Sequence, residues 1–596
     1  MRARNYVPLF MLSLLNACGS NEGARSSSDD TATSSQDVVK SRGNDEGSAD
    51  ARDGDERLPR VRHVLLVSVD GLHEVDAARW IAKHPDSTLA KLADTGVEYA
   101  DAHTPTPSDS FPGLLALVTG GTPKTTGVYY DDSYDRTLFA PGSNCQGNPG
   151  VECTNFEILE QDFTQLFSPI NPANLPMQKD ARDNCRPAYP HDFIKVNTLF
   201  EVIRKSGGYT AWSDKHPAYD LVNGPSGKGV DDLYTPEINS LIVNGGVVNG
   251  VDLTGSLALC DGVTNSLPLK KVSDYTNCEP AVMAYDDVKV QAVINEIDGK
   301  TSDGSKRAPV PTIMGMNFQQ VSVGQKLPVG GYVDADGTPS ALLEGAIAHV
   351  DASLGRMVSE LKVRGLFGST FIVISAKHGQ SPIDRAKLAM EAGGGGNATV
   401  TDPLGFINAA DPNVSAVFAS FVNPNDGSSP AVAGFLMADD VGLVWLQDQS
   451  KSNVNNVIAQ LTNPANEAAM FANVLPPGTI FNANVNFGAA LAEIYGDPTS
   501  SDPVAAARAP NVFIQPNWGV IYSGSTKKIS EHGGGTVDDT NVALLVSHPG
   551  LHHRTVTSHV WTKQVAPTIL RALDIDPEEL QAVVKEHTRS LPGLKM

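Results

Sequence analysis

The sequence predicts an α/β protein with a central, mostly parallel β-sheet and helices on both faces. Short apolar runs rich in β-branched residues, which are typical of buried parallel strands, recur along the chain. Helical patterns lie between these runs, and this alternation is typical of α/β sandwiches. Apolar residues make up 41% of the 596 residues, so a large core with insertions is expected.

The first element along the chain is an export signal. Arginines precede an apolar run at 6–15, and a run of about ten residues is too short to span a bilayer. The run ends in Leu-Asn-Ala-Cys at 15–18, which resembles a bacterial lipobox with Cys18 as the lipidated residue. An ordinary signal peptide that contains a cysteine is the alternative. Since Gly19 follows, we expect an exported lipoprotein of the outer membrane, facing the periplasm or the cell surface.

Residues 19–57 are rich in Ser, Asp, Gly and Thr and predict a disordered tether with a reach of about 35 Å. One large domain is expected over 58–596. Its content of Gly, Pro and Asn predicts loop-rich insertions near 140–190, 220–280 and 392–440, where substrate selection usually lies. The net charge of −23 argues against binding to a nucleic-acid duplex.

Five cysteines follow Cys18, and an exported protein can form disulfides. An odd number allows at most two bridges within the chain. Short loops favour Cys145–Cys153 and Cys260–Cys278 and leave Cys185 over, although the sequence does not fix this connectivity.

Two apolar runs end in side chains that can bind metals. The run 63–69 is closed by Asp70-Gly71 and is followed by a helical pattern at 76–95. The run 371–375 follows a helical pattern at 342–363 and leads into Lys377-His378-Gly379. Because the carboxyl ends of parallel strands meet at one edge, Asp70 and His378 are expected to lie together.

Two further motifs complete the candidate site. His532 lies in a glycine-rich stretch that permits close backbone approach, before a third apolar run at 542–547 and a helical pattern at 563–573. Ser110 precedes an apolar helical stretch at 114–119. Its hydroxyl could cap that helix, or it could be a nucleophile that a metal activates.

Together these motifs resemble the type I phosphodiesterase/nucleotide pyrophosphatase family of the alkaline phosphatase superfamily. The resemblance rests on the Asp-Gly at 70–71, a hydroxyl before Phe-Pro at 110–112, Val-Thr-Gly at 118–120, the two His-Gly pairs and a terminal helix at 564–570. It extends from about residue 60 to the end of the chain. It implies an alkaline-phosphatase-like sandwich that hydrolyses phosphodiester or related phosphoester bonds.

In that family, two zinc ions are held by six protein ligands, and a Thr or Ser is the nucleophile. The resemblance assigns metal binding to Asp70, Ser110, His378 and His532, with Ser110 as nucleophile. Three ligand positions are replaced, by Lys377, Val321 and Gln325, and Gly113 stands where the family has a phosphate-binding Asn. We therefore expect one divalent ion, zinc, rather than two.

Lys377 distinguishes two interpretations of the site, one functional and one decayed. Its ammonium would repel a second divalent ion, or it could itself supply positive charge to an anionic transition state, as in sulfatase-like relatives. A surface lysine in a decayed site is the other reading.

The expected substrate is a small anionic ester. The side chains expected to bind it are Gly113, Asn317, Gln325 and His216. A metal-poor pseudoenzyme that binds an anionic ligand at the cell surface, or a sulfate or phosphonate ester hydrolase, remain the rival functions.

Overall fold

The computed structural model describes residues 60–154, 162, 165–240, 246–253, 275–410, 434–472 and 484–595, which all fall in one compact unit. Cys18, the expected tether at 19–57 and Cys260 lie outside these residues. Within the described ranges, no helix combines the length and the apolar character that a membrane span requires.

Within the described residues, eight strands form the central sheet: β1 (His63–Val69), β2 (Gly96–Tyr99), β3 (Ala211–Ser213), β4 (Asp232–Tyr234), β5 (Ile313–Phe318), β6 (Thr370–Ser375), β7 (Leu544–Ser547) and β8 (Arg554–Val556). Their spatial order is β8-β2-β7-β6-β1-β5-β3-β4. Only β7 runs antiparallel to its neighbours in this sheet, and the other pairings are parallel. The predicted mostly parallel α/β sheet is confirmed.

The central strands are buried on both faces. Successive side chains of a strand point to opposite faces. Val64 and Leu66 of β1 pack in one core with helix Ser110–Thr119, whereas Leu65 packs in a second core with helix Ala341–Val363. This two-sided burial explains why β1 is a continuous apolar run without polar alternation. The predicted helices on both faces are confirmed as well.

The α-helices, from the amino terminus onward, are Glu74–Lys83, Thr88–Ala93, Ser110–Thr119, Pro123–Thr126, Pro190–Phe193, Leu199–Lys205, Glu279–Ile297, Gln320–Lys326, Ala341–Val363, Pro403–Ala410, Lys451–Leu461, Pro464–Phe471, Gly488–Tyr495, Pro503–Arg508, Val537–Thr540, Val565–Ala572 and Gln581–Glu586. The helical pattern predicted at 76–95 forms two helices, Glu74–Lys83 and Thr88–Ala93, with a break between them. Pro85, which lacks an N–H, follows the first of two helices, and Ser87 caps the second by accepting from Ala90 N.

The described residues also form smaller sheets. A four-stranded antiparallel sheet has the order Gly434–Ala438, Gly442–Leu446, Val512–Gln515, Asn484–Phe487, and a three-stranded parallel sheet has the order Ala398–Val400, Ala389–Glu391, Val520–Ile521. Two-stranded pairs join Ala102–His103 to Val560–Trp561, Asp132–Asp135 to Val151–Thr154, Met177–Lys179 to Cys185–Pro187, and Val247–Val248 to Val251–Asp252.

The disulfide pattern differs from the short-loop expectation. Cys145 is bonded to Cys185, so the predicted Cys145–Cys153 bridge is wrong. The hairpin that contains Cys185 pairs with the backbone of Phe139, which brings Cys185 to Cys145 across 40 residues of chain. Cys153 keeps a buried thiol, because its strand pairs elsewhere. Cys278 is disulfide-bonded, and the predicted Cys260–Cys278 pairing falls outside the described residues.

Candidate active site

The carboxyl ends of β6, β1, β5 and β3, which are neighbours in the sheet, converge on one site. Ligands of open α/β sheets bind at this edge. The Asp70 Oδ2 and His378 Nε2 atoms lie 3.8 Å apart there. In strand order, the four ends carry Lys377 and His378, then Asp70, then Gln319, then Asp214 and Lys215.

Ser110 is the first residue of helix Ser110–Thr119, and it does not cap that helix. The cap is Asp109, whose carboxylate accepts from Phe111 N at 3.1 Å. The Ser110 side chain therefore remains available for chemistry. Its Oγ lies 3.2 Å from His378 Nε2 and 3.1 Å from Lys215 Nζ.

The hydrogen bonds of His378 determine which ring nitrogen can accept a proton. Its Nδ1 lies 2.8 Å from the carbonyl oxygen of Gly379. Because a carbonyl only accepts, Nδ1 carries the proton in the neutral ring and Nε2 presents a lone pair. The Ser110 hydroxyl thus donates to His378 Nε2 and accepts from the Lys215 ammonium. This is the arrangement of a nucleophile beside its base.

Asp70 is the buried counter-ion of the site. Its Oδ2 accepts from Asn317 Nδ2 at 3.1 Å and from Gln319 Nε2, and it lies 3.5 Å from Lys215 Nζ. Burial raises the pKa of Asp70, but the surrounding positive charges, that of Lys377 foremost, hold it well below its ordinary value. Asp70 therefore carries a negative charge at neutral pH.

Lys377 is a fixed, fully buried side chain, so the reading of it as a surface lysine is wrong. Its Nζ donates to Asp214 Oδ1 at 3.0 Å and to the Tyr219 hydroxyl at 2.9 Å, and it lies 3.9 Å from Asp70 Oδ2. Burial lowers the pKa of Lys377, and the charges of Asp214 and Asp70 oppose this effect. Lys377 therefore contacts Tyr219 and Asp70, which in turn interact with Ser110 and with Lys215 beside it.

His532 lies beside the nucleophile–base pair. Its ring centroid is 4.0 Å from that of His378, and its Nδ1 is 3.6 Å from Asp109 Oδ1. Burial, followed by the charges of His378 and Lys326, lowers the pKa of His532 well below its ordinary value, so its imidazole is neutral. The side chains of His532 and Lys215 are 10% and 13% exposed, whereas Ser110 is 1% exposed. The site therefore meets solvent on the side of Lys215 and His532.

The residues at this edge do not fit the two-zinc set that the resemblance implies. The Lys215 ammonium contacts both Ser110 Oγ and Asp70 Oδ2. An ion bridging these two atoms would need to lie about 2 Å from each, so ion and ammonium exclude one another. In the described part of the chain, no three Asp, Glu, His or Cys side chains at this edge bring ligand atoms within 4.8 Å of one another.

Two of the predicted substrate-binding side chains are directed elsewhere. His216 is buried, with Nδ1 2.8 Å from Glu237 Oε1. Gln325 donates to Gly71 O at 2.7 Å and to the Tyr332 hydroxyl at 2.9 Å. These contacts lend no support to a role in substrate binding, which stays a prediction.

Close packing explains why position 113 is a glycine. A Cβ at this position would lie 2.0 Å from the carbonyl oxygen of Lys377. The helix therefore approaches the end of β6 too closely for any side chain, including the Asn that the family has there. Substrate binding by Gly113, if it occurs, involves its backbone alone.

Sequence reasoning missed Lys215 and Gln319. Both follow strand ends, Lys215 two residues after β3 and Gln319 directly after β5. Position after an apolar run is the signal that could have found them, as it did for Asp70. β3 spans only Ala211–Ser213, which is too short for a recognisable pattern.

Comparison with known proteins gives a match to one family model. Residues 64–219 match the family model described as type I phosphodiesterase / nucleotide pyrophosphatase. This part of the chain is similar to that family. The resemblance inferred from the motifs is confirmed, and the matched region contains Asp70, Ser110 and Lys215. No curated protein matches the chain.

Several solved structures are similar to this chain at low sequence identity. A mutant of the alkaline phosphatase PafA has a TM-score of 0.55 at 13% identity, covering 87% of this chain and 97% of that one. Wild-type PafA has a TM-score of 0.52, with the same identity and coverage. An inactive mutant of murine ectonucleotide pyrophosphatase / phosphodiesterase 5 in complex with AMP has a TM-score of 0.46 at 13% identity, covering 87% and 96%. The PafA comparison confirms the alkaline-phosphatase-like fold.

Proposed function

We propose that this protein hydrolyses a phosphodiester or related phosphoester bond, with Ser110 as the nucleophile. The family match and the fold suggest a phosphoester hydrolase. The observation that carries the proposal is the position of Ser110 Oγ between His378 Nε2 at 3.2 Å and Lys215 Nζ at 3.1 Å, at the start of a helix. Helix amino termini favour phosphate, because free N–H groups and the helix dipole face it.

In the first step, Ser110 Oγ attacks phosphorus while His378 Nε2 takes its proton. The bond from phosphorus to the leaving oxygen breaks, and the imidazolium returns the proton to that oxygen. The Lys215 ammonium, which already touches Ser110 Oγ, stabilises the charge on the phosphoryl oxygens. The product of this step is a phosphoserine at position 110 and the released alcohol.

In the second step, water attacks the phosphoserine. His378 Nε2 takes a proton from the water, the bond between Ser110 Oγ and phosphorus breaks, and the proton passes back to Oγ. Asp70, charged and held by Asn317 and Gln319, keeps the ammonium of Lys215 in place through both steps. Lys377 acts indirectly, through its contacts with Asp70 and Tyr219.

A single-ion site is the second candidate, and one observation favours it. Asp70 Oδ1 is buried without a hydrogen-bond partner, as is His532 Nδ1. Orphaned buried atoms of this kind call for an explanation. One divalent ion, zinc, held by Asp70, His378 and Ser110 would satisfy Asp70 Oδ1, but only after Lys215 had moved away.

The test uses the full chain, with bound metal measured first. Wild type, Ser110→Ala and the control Ser108→Ala are assayed on chromogenic phosphodiester, phosphomonoester, phosphonate and sulfate esters. Ser108 is a matched control, because its hydroxyl lies on the same loop and accepts from Gly533 N. We expect turnover of a phosphoester, its loss in Ser110→Ala, and an acid-stable phosphoserine at position 110 in quenched wild type.

The alternatives give different results. Activity that survives Ser110→Ala would remove the serine from its role. Turnover of the sulfate or phosphonate ester alone would identify that rival class. No turnover of any ester, with an anion still bound, would favour the pseudoenzyme. Activity that is lost with a chelator and regained with zinc would favour the single-ion site.

A further inference from the structure

We propose that Asp101, His103 and His559 form a binding site for a divalent transition-metal ion, separate from the site at Ser110. The three side chains each offer one ligand atom, and these atoms all lie within 4.8 Å of one another. Nothing in the proposed hydrolysis uses them.

Strand pairing places the three side chains together. Ala102–His103 pairs in parallel with Val560–Trp561, with Ala102 opposite Val560. Asp101 directly precedes this strand, and its carboxylate contacts the His103 ring. His559, one residue before Val560, lies across from Asp101. The site thus joins parts of the chain that are more than 450 positions apart.

The distances suit a small ion. His103 Nε2 lies 2.9 Å from Asp101 Oδ1, and His559 Nδ1 lies 3.3 Å from Asp101 Oδ2. Metal–ligand bonds of about 2.0–2.1 Å in tetrahedral geometry separate the ligand atoms by about 3.3 Å. The side chains therefore need only small rotations to hold an ion between them.

Hydrogen-bond directions favour a cation at this place. The Thr540 hydroxyl donates to Thr536 O at 2.8 Å, so its oxygen accepts from His103 Nδ1 at 3.0 Å. With the proton of the neutral ring on Nδ1, the Nε2 lone pair faces the lone pairs of the Asp101 carboxylate. A bound cation turns this contact between two acceptors into two ligand bonds. The bond to Thr540 also fixes the orientation of the ligating ring.

The ligand set indicates the class of ion. Two imidazoles and one carboxylate suit zinc, copper or nickel, whereas calcium and magnesium prefer oxygen ligands. The Asp101 and His559 side chains are 43% and 45% exposed, so an ion can enter directly from solvent. Three protein ligands leave a coordination position open to water.

The site lies at the start of the segment that leads to Ser110. His103 is followed by Thr104, whose hydroxyl donates to the carbonyl oxygen of Lys377 at 2.7 Å. An ion that ties His103 to His559 would therefore restrain the chain where it enters the active-site loop. Ion binding to the folded state also raises the melting temperature, because an ion that binds only the native protein shifts the unfolding equilibrium.

The experiment titrates the chelator-stripped full chain with Zn²⁺ by calorimetry, and with Co²⁺ by visible absorption. Wild type is compared with His559→Gln, Asp101→Asn and Asp70→Asn. His553→Gln is the matched control, because His553 is an exposed histidine 3.6 Å from a single carboxylate, that of Glu98. Melting temperatures without metal verify that each variant is folded.

We expect Asp70→Asn and His553→Gln to bind Zn²⁺ with the affinity of the wild type. His559→Gln and Asp101→Asn should bind it at least about ten-fold more weakly. The Co²⁺ absorption should be lost in the latter two variants. Unchanged binding in His559→Gln would overturn the proposal. Binding that disappears in Asp70→Asn alone would assign the ion to the site at Ser110 and would also overturn it.

Discussion

Replacing Lys377 with methionine removes the buried ammonium behind the nucleophile and nearly preserves the length of the side chain. The change leaves the carboxylates of Asp214 and Asp70 with one positive neighbour fewer. Asp214 keeps its hydrogen bonds from Trp212 Nε1 and Lys215 N, at 3.0 and 2.9 Å. Removing one member of a buried charge pair costs about 3–5 kcal/mol, so the free energy of unfolding should fall by this amount.

The effect on rate follows from the position of the charge. Lys377 Nζ is 2.9 Å from the Tyr219 hydroxyl, which also interacts with Ser110. Two hydrogen bonds in series place the ammonium within about 6 Å of Ser110 Oγ, and two unit charges at that distance interact by about 3 kcal/mol at an effective dielectric constant of 20. The loss of this term should lower kcat/KM by about a hundred-fold.

A second variant separates stability from catalysis. In Lys377→Met/Asp214→Asn, no unpaired carboxylate remains at position 214, so part of the lost stability should return. Activity should stay low, because the positive charge is still absent. Unfolding is followed in denaturant, and kcat/KM is measured on the phosphoester that the wild type prefers. A Lys377→Met enzyme as active as wild type, or a double variant with restored activity, would refute the electrostatic role.

Four further predictions follow from other contacts. Lys215→Ala should lower kcat by about 10²–10³ in steady-state kinetics, whereas a gain in rate with added zinc would support the single-ion site. Burial lowers the pKa of His73, but the hydrogen bond and charge of Asp76 outweigh it and the pKa is raised. The protonated His73 therefore stabilises the folded protein fully below about pH 6.5, and this stabilisation is lost as the pH rises through the folded-state pKa. The free energy of unfolding, measured in denaturant, should therefore fall more between about pH 6 and pH 9 for the wild type than for His73→Gln. Cys185→Ala removes the disulfide that closes a loop of 40 residues and should lower the free energy of unfolding by about 4 kcal/mol in the same assay. A much smaller loss would show that the disulfide does not restrict the unfolded chain. Cys18→Ala should move the protein out of the membrane fraction, and equal membrane retention would contradict lipidation.

Much of the framework was predictable from patterns along the chain. β1 and β6 are continuous apolar runs because both of their faces are buried. Such runs can be recognised in the sequence alone. The chemistry at their carboxyl ends was predictable for the same reason, since parallel strands end at one edge of the sheet. Asp70 and His378 followed from this argument.

The cations around Asp70 were not predictable in the same way. Lys215 is next to His216, which the sequence alone assigned to substrate binding. In the structure the lysine contacts Ser110 and the histidine contacts Glu237. A difference of one position reverses the direction of a side chain near a strand end. Only the completed backbone shows which of two neighbours faces the site.

The sequence by itself determined the α/β class, the strand ends that bear Asp70 and His378, and the helical stretch at 114–119 that follows Ser110. Each depends on residues close together along the chain, whose apolar spacing and turn chemistry act locally. The tertiary structure alone decided that Lys215 lies between Ser110 and Asp70, that Lys377 is buried against Asp214, and that Cys145 bonds Cys185. These contacts join segments far apart in sequence, and they depend on strand order and side-chain direction, which no local pattern encodes.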